Sequence, residues 1–100
     1  MFKGGMASMM QKAQKMQESV KIAQSEIKNL MVVGKSGTQI TLNMNGEYKI
    51  SNLEIDDVVL TDKAMMISML EIAINDATSQ IQQFSSEKIK TATGGMSLPF

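Results

Sequence analysis

Residues 6–30 read MASMMQKAQKMQESVKIAQSEIKNL, and their apolar side chains recur at alternating spacings of three and four residues. This is the a/d pattern of an amphipathic helix that packs along one seam. The seam consists of Met6, Met9, Ala13, Met16, Val20, Ala23, Ile27 and Leu30. At 1.5 Å per residue, such a helix is about 37 Å long.

A second long helix is predicted over residues 62–90. Thr61 or Asp62 would cap its start, and Gly94-Gly95 would prevent its continuation. This helix would be about 43 Å long, whereas a compact domain of this size has a radius of gyration of about 13 Å. Both helices should therefore project from a small body, and their apolar seams need each other or a second chain. The second seam is Met66, Leu70, Ala73, Ala77, Ile81 and Phe84.

Three strands are predicted between the helices. A short apolar run from residue 30 to 33 is followed by a predicted turn over residues 34–37, and residues 38–44 alternate between apolar and polar side chains. Asn45-Gly46 predicts a two-residue type I′ hairpin turn. A bulge at Ser51-Asn52 would bring both halves of the third strand, residues 47–55, into phase. We therefore predict an α+β fold: long N-terminal helix, three-stranded antiparallel meander, long C-terminal helix.

Composition argues against an enzyme. Ten lysines balance ten acidic residues, and the chain has no Arg, His or Cys. It therefore has no His or Cys to act as a general base, a nucleophile or a transition-metal ligand, although Lys and carboxylates remain possible. Its glycine turns match neither a P-loop nor a dinucleotide-binding motif. Asp56, Asp57 and Asp62 could hold a hard cation, but their spacing lacks the EF-hand order, and stabilisation of a helix N-terminus is the preferred interpretation. We predict no metal, no cofactor and no small-molecule substrate.

Charge is unevenly distributed along the chain. Residues 1–17 contain three lysines and no acid, whereas residues 54–62 contain four acids and no base. If the two helices are antiparallel, five lysines should gather at one tip: Lys3, Lys12, Lys15, Lys88 and Lys90. Lysine contacts phosphate as a point charge, and arginine, which usually reads guanine, is absent. Any nucleic-acid binding should therefore depend on backbone phosphates and on salt concentration.

Several segments together resemble the bacterial YbaB/EbfC family of nucleoid-associated proteins. They are the opening MFKGG (residues 1–5), MMQKAQKMQ (9–17), LEID (53–56), AINDA (73–77) and the ending TGGMSLPF (93–100). The resemblance spans essentially the whole chain, in the same order and at nearly the same length. It departs from relatives that carry arginines in the third strand or the last helix.

The resemblance implies a homodimer with a small core from which paired helices project like tweezers. It further implies binding of double-stranded DNA through those helices and a role in nucleoid organisation or gene expression, without catalysis. The DNA-binding residues carried over by position are Lys12, Lys15, Lys88 and Lys90, with Lys3 and Lys21 added. We expect one domain over residues 1–100, flexible at 1–5 and 92–100, located in the cytoplasm and nucleoid with no membrane segment.

An alternative function stays open from the sequence. The chain has eleven methionines, and methionine-rich surfaces repack readily against different partners. In this alternative the protein is a helical protein–protein interaction module, and DNA binding is incidental.

Overall fold

The computed structural model describes the backbone of residues 2–94 and the side chains of residues 5–94. Its elements are α1 (Phe2–Lys28), β1 (Met31–Ser36), β2 (Ile40–Asn45), β3 (Ile50–Ile55), a 3₁₀ helix (Asp57–Thr61) and α2 (Lys63–Ala92). The strands form one antiparallel sheet in the order β1-β2-β3. The predicted α+β architecture is confirmed.

Helix α1 begins at Phe2, earlier than the predicted start at Met6, and includes the Gly4-Gly5 pair. Each glycine costs about 1 kcal/mol in a helix, but adding residues to an existing helix is far easier than nucleating one. The flexibility predicted for residues 1–5 and 92–100 stays a prediction, and residues 1 and 95–100 lie outside the described part of the chain.

The central strand supplies much of the core. Ile40, Leu42 and Met44 alternate along β2 and are buried, as predicted. Asn43 pairs with Asn52 of β3 and the next residue, Met44, pairs with Ile50. Ser51 is therefore the extra residue of a bulge, which confirms the predicted irregularity at Ser51-Asn52.

The turn predicted over residues 34–37 is wrong, because β1 continues to Ser36. Gly34 is buried, and a Cβ there would overlap the carbonyl oxygen of Ala73 and lie 2.8 Å from the Cβ of Ala77. The glycine therefore lets α2 cross β1 closely. The chain turns later, around Gly37, whose φ is +58°.

The type I′ turn predicted at Asn45-Gly46 is also wrong. Tyr48, not Gly46, has the positive φ, of 64°. Asn45 closes the longer loop: its amide donates to the Lys49 carbonyl at 2.9 Å, and its side chain accepts from the amides of Glu47 and Lys49. Gly46 serves a different purpose, which involves α1.

Gly46 lies against the end of α1. Its amide donates to the Leu30 carbonyl at 3.0 Å. A Cβ at this position would collide with the carbonyl of Ile27. The β2–β3 loop is therefore fixed to the segment that joins α1 to β1.

Helix α2 lies across β1 and β2. Its Asp76 carboxylate accepts from the Lys35 amide at 2.9 Å, and its Gln80 side chain donates to the Val33 carbonyl at 2.8 Å. These bonds close the outer edge of β1. The buried core comprises Val32, Ile40, Leu42, Met44, Val59, Ala73, Ala77 and Ile81.

Acidic side chains cap the helices that follow β3. Asp62 accepts from the Met65 amide at 3.1 Å at the start of α2, and Asp56 accepts from the Val58 amide at 3.1 Å at the start of the 3₁₀ helix. Asp57 lies in the first turn of that helix. Of the two residues predicted to cap α2, Thr61 and Asp62, the cap is Asp62. The contacts of Asp56 and Asp62 agree with the interpretation of these acids as stabilising helix N-termini.

The molecule is elongated. Its radius of gyration is 20.0 Å and its dimensions are 74 × 19 × 17 Å. A compact chain of this length would have a radius of gyration of about 13 Å. The prediction that long helices project from a small body is confirmed.

Candidate nucleic-acid interface

The two helices are antiparallel but shifted along each other. The last turns of α2, at Lys88 and Thr91, meet Ser19, Ile22 and Glu26 of α1 across an open groove of about 250 Å³. Residues 2–18 of α1, about 25 Å of helix, therefore extend beyond the end of α2. We call this segment the α1 overhang.

The two helix ends do not share one tip, so that prediction is wrong. The physical reason is that much of α2 packs against the sheet. Its buried residues Ala73, Ala77 and Ile81 lie in the core with the sheet. Only the turns after them remain to run along α1, and they reach about as far as Ser19.

Lys12 and Lys15 lie on the same side of α1 as the residues that line this groove, but closer to the N-terminus of the helix. Together with Ser19, Ile22 and Glu26 they follow spacings of three, four, three and four, which place them in one stripe along the helix. Both lysines are exposed. The N-terminal part of this stripe, on the overhang, carries the two lysines. Its C-terminal part, at Ile22 and Glu26, meets α2.

Lys88 is engaged inside the molecule. Its Nζ lies 2.6 Å from Oε2 of Glu26 and 5.4 Å from the centroid of the Phe84 ring. The two charged side chains are 41% and 45% exposed, so the pair is a surface ion pair. A phosphate would have to compete with the Glu26 carboxylate for this lysine.

The other predicted lysines lie elsewhere. Lys21 follows Lys12 by nine residues, which places it on the opposite side of α1, and the side chain of Lys3 lies outside the described part of the structure. Lys90 follows Lys88 by two residues, which turns it about 160° away around α2. The structure thus brings Lys12, Lys15 and Lys88 to one side of the helix pair and separates them from Lys21 and Lys90.

The uncovered apolar seam is another property of the overhang. Met6 is 66% exposed and Met9 is 71% exposed, whereas Ala23, farther along the same seam, is buried against α2. The seam predicted from the sequence is therefore only partly covered within one chain.

The acids around the start of α2, Asp56, Asp57 and Asp62, lie far from these lysines. Asp62 begins α2 and Lys88 lies near its end, so about 39 Å of helix separates them. Within the described residues no group of three His, Cys, Asp or Glu side chains is placed to hold a metal ion. Over the same part of the chain, no helix has both the length and the apolar character to cross a membrane.

Sequence reasoning missed Glu26 as a partner of the site. It is 62 positions from Lys88, and no local spacing relates the two residues. Only the antiparallel shift of α2 along α1 brings them together.

Comparison with known proteins agrees with this architecture. The structure is similar to that of the uncharacterized protein HP0035 from Helicobacter pylori, with a TM-score of 0.65 and 25% sequence identity over 75% of this chain and 82% of that one. Residues 2–96 match the model of the YbaB/EbfC DNA-binding family. Since this match covers nearly the whole sequence, the chain belongs to the YbaB/EbfC DNA-binding family.

Proposed function

We propose that the protein is a homodimer that binds double-stranded DNA through backbone phosphates with little sequence preference. In doing so it affects nucleoid organisation or gene expression in the cytoplasm, without catalysis. Membership of a DNA-binding family supports DNA as the ligand. The observation that carries the choice of site is the α1 overhang, a helical arm with exposed lysines and no acid before Glu18.

Local charge can attract DNA although the chain has zero net charge. The Debye length at physiological salt is about 8 Å, so charges tens of ångströms apart act almost independently. The acids at the start of α2 therefore do little to offset Lys12 and Lys15. A phosphate at the overhang experiences a positive surface.

The residue types favour low sequence specificity. Lys12 and Lys15 present ammonium groups about one turn apart, and such groups bind phosphates without the bidentate geometry by which arginine reads guanine. In the proposed complex Lys12 and Lys15 make the principal contacts, and Lys88 contributes once a phosphate replaces Glu26. Lys21 and Lys90 add contacts from other sides of the helices, and Lys3, near the start of α1, adds a further one.

A second copy is proposed because one chain leaves apolar surface uncovered. Met6, Met9 and Met10 on α1 are each more than 60% exposed. A chain of this size also buries only about two thirds of its unfolded surface, which favours oligomerisation. Two copies would present two basic arms to one duplex.

The test is a charge reversal of four lysines. Changing Lys12, Lys15, Lys88 and Lys90 to Glu should abolish binding of a labelled mixed-sequence duplex, measured by fluorescence anisotropy. The matched control reverses four other exposed lysines, at positions 28, 35, 49 and 63. It should bind much more strongly than the test variant. Undiminished binding by the test variant would refute the site, while sedimentation equilibrium and thermal melting verify that both variants retain mass and fold.

The exposed methionines favour a second candidate, in which α1 engages another protein and DNA binding is incidental. Methionine side chains adapt to varied apolar surfaces. A partner captured from lysate that survives nuclease treatment, and that is lost when Met9 and Met16 become Gln, would favour this candidate. Loss of all captured partners on nuclease treatment would favour DNA.

A further inference from the structure

The apolar seam of α1 is covered along only part of its length. Ala23 is 4% exposed, and Val20 and Met16, toward the N-terminus, are partly buried. Met9 and Met6, farther along the same seam, are 71% and 66% exposed. Because an amphipathic helix in a protein gains most of its stability from packing of its apolar face, this part of the seam needs a covering partner.

Helix α2 ends where the α1 overhang begins. Ala92 and Ala23 line the same groove between the helices, and Thr93, directly after α2, is only 2% exposed. Gly94 then has a φ of +65°, a conformation that commonly ends a helix. Because α1 and α2 are antiparallel, the residues after Gly94 leave α2 beside the seam, at the end of the overhang nearest the core.

The segment that follows, residues 95–100, has a sequence suited to this seam. It reads GMSLPF, carries no charged side chain and lies outside the described part of the chain. Pro99 has a fixed φ and restricts Leu98, the residue before it, to extended conformations. In an extended chain alternate side chains point to the same side, so Met96, Leu98 and Phe100 are expected to form one apolar face.

The length of this segment also matches the exposed seam. Six extended residues span about 20 Å. The last turns of α2 reach Ser19, which is about 20 Å along α1 from Met6 at 1.5 Å per residue. An extended segment that follows the overhang would therefore place Leu98 near Met9 and Phe100 near Met6.

We propose that residues 95–100 pack in an extended conformation along the exposed seam of the α1 overhang of the same chain and stabilise this helix. The contact is apolar on both sides. Lys12 and Lys15 lie about 60° and 120° from Met9 around α1, so their ammonium groups stay accessible to phosphate. The inference depends neither on the proposed homodimer nor on DNA binding.

The attachment of this segment favours it over a separate partner. It is joined to the molecule at Gly94, beside the seam that it would cover. A short tether of this kind gives an effective concentration in the millimolar range. A second copy or another protein would have to reach a comparable concentration to displace it.

Cysteine pairs test the contact directly. The chain has no cysteine, so only the introduced pair can form a disulfide. Leu98→Cys with Met9→Cys should form an intramolecular disulfide on mild oxidation, measured by mass spectrometry and non-reducing gels. The matched control is Leu98→Cys with Gln11→Cys, because Gln11 is exposed two residues away on the opposite side of α1. The control pair should cross-link at least ten-fold more slowly.

Two results of this experiment would overturn the inference. Equal rates for the two pairs would mean that the segment visits all sides of the overhang without a preferred contact. Disulfides that form only between two chains would mean that the seam of one chain is covered by a second copy.

Hydrogen exchange measures the effect of the contact on α1. Leu98→Ser with Phe100→Ser should accelerate exchange of the backbone amides of residues 6–16 at least several-fold, because the seam loses its apolar cover. The amides of β2 should keep their protection, which verifies that the core is intact. The control Ser97→Asn changes the other side of the extended segment and should leave the exchange of residues 6–16 unaltered. Unchanged exchange in the Leu98/Phe100 variant would overturn the inference.

Discussion

At the scale of single residues, the main finding is that one candidate DNA contact is already paired. Lys88 reaches Glu26 at 2.6 Å, and both side chains are more than 40% exposed. Exposed pairs of this kind contribute about 0–1 kcal/mol to stability. The pair is therefore easily exchanged, and its effect should be greater on DNA affinity than on folding.

Glu26→Gln tests this exchange. We expect affinity for duplex DNA to rise several-fold, because Lys88 no longer has a competing carboxylate, while the free energy of unfolding changes by less than about 1 kcal/mol. Anisotropy titration and chemical denaturation provide the two values. Glu71→Gln is the control, since it removes the same charge from an exposed site on α2, away from the overhang. An equal gain in both variants would mean that only total charge matters.

At the scale of elements, the β2–β3 loop shows how α1 is attached to the sheet. The Gly46 amide bonds to the Leu30 carbonyl, and its α-carbon faces the Ile27 carbonyl with no room for a side chain. This contact joins the loop to the segment that leaves α1. The direction of the overhang relative to the sheet depends on it.

Gly46→Ala should destabilise the protein by about 2–4 kcal/mol, since the added methyl overlaps a backbone carbonyl. Gly5→Ala is the matched control. A Cβ at Gly5 meets nothing within 4 Å, and alanine in a helix is favoured over glycine by about 1 kcal/mol. Thermal melting should show opposite shifts for the two variants. A melting temperature for Gly46→Ala at or above that of the unchanged protein would contradict the proposed close contact.

The elements predicted well are those with strong periodicity. The heptad seam of α1, the alternation of β2 and the Asp62 cap are local signals, and the structure contains all three. Gly34 and Gly46 misled the prediction because glycine also serves close packing. Each glycine lets the backbone of a helix approach closely, α2 at Gly34 and α1 at Gly46. No local sequence pattern distinguishes a glycine used in this way from a glycine in a turn. The Glu26–Lys88 pair was unpredictable for the same reason.

At the scale of the whole molecule, basic and acidic side chains lie in different regions along the 74 Å length of the protein. The basic overhang and the acids that begin α2 are separated by several Debye lengths at physiological salt. The protein should therefore bind DNA through one region despite its zero net charge.

The salt dependence of DNA binding tests this division. The logarithm of the affinity should fall linearly with the logarithm of salt concentration, with a slope of about −0.9 per phosphate engaged. A complex that engages four phosphates would lose roughly two orders of magnitude in affinity between 50 and 200 mM salt. Anisotropy titrations across that range measure the slope. Affinity that does not change with salt would contradict phosphate-led binding.

The closed edge of β1 has a consequence for assembly in a crowded cell. Unpaired strand edges allow proteins to add to one another without limit, as in fibres. Here Asp76 and Gln80 occupy one edge of the sheet. A further strand could add beside β1 at Val33 and Lys35 only by displacing these two side chains. This edge of the sheet is therefore poorly suited to strand addition, even at high protein concentration.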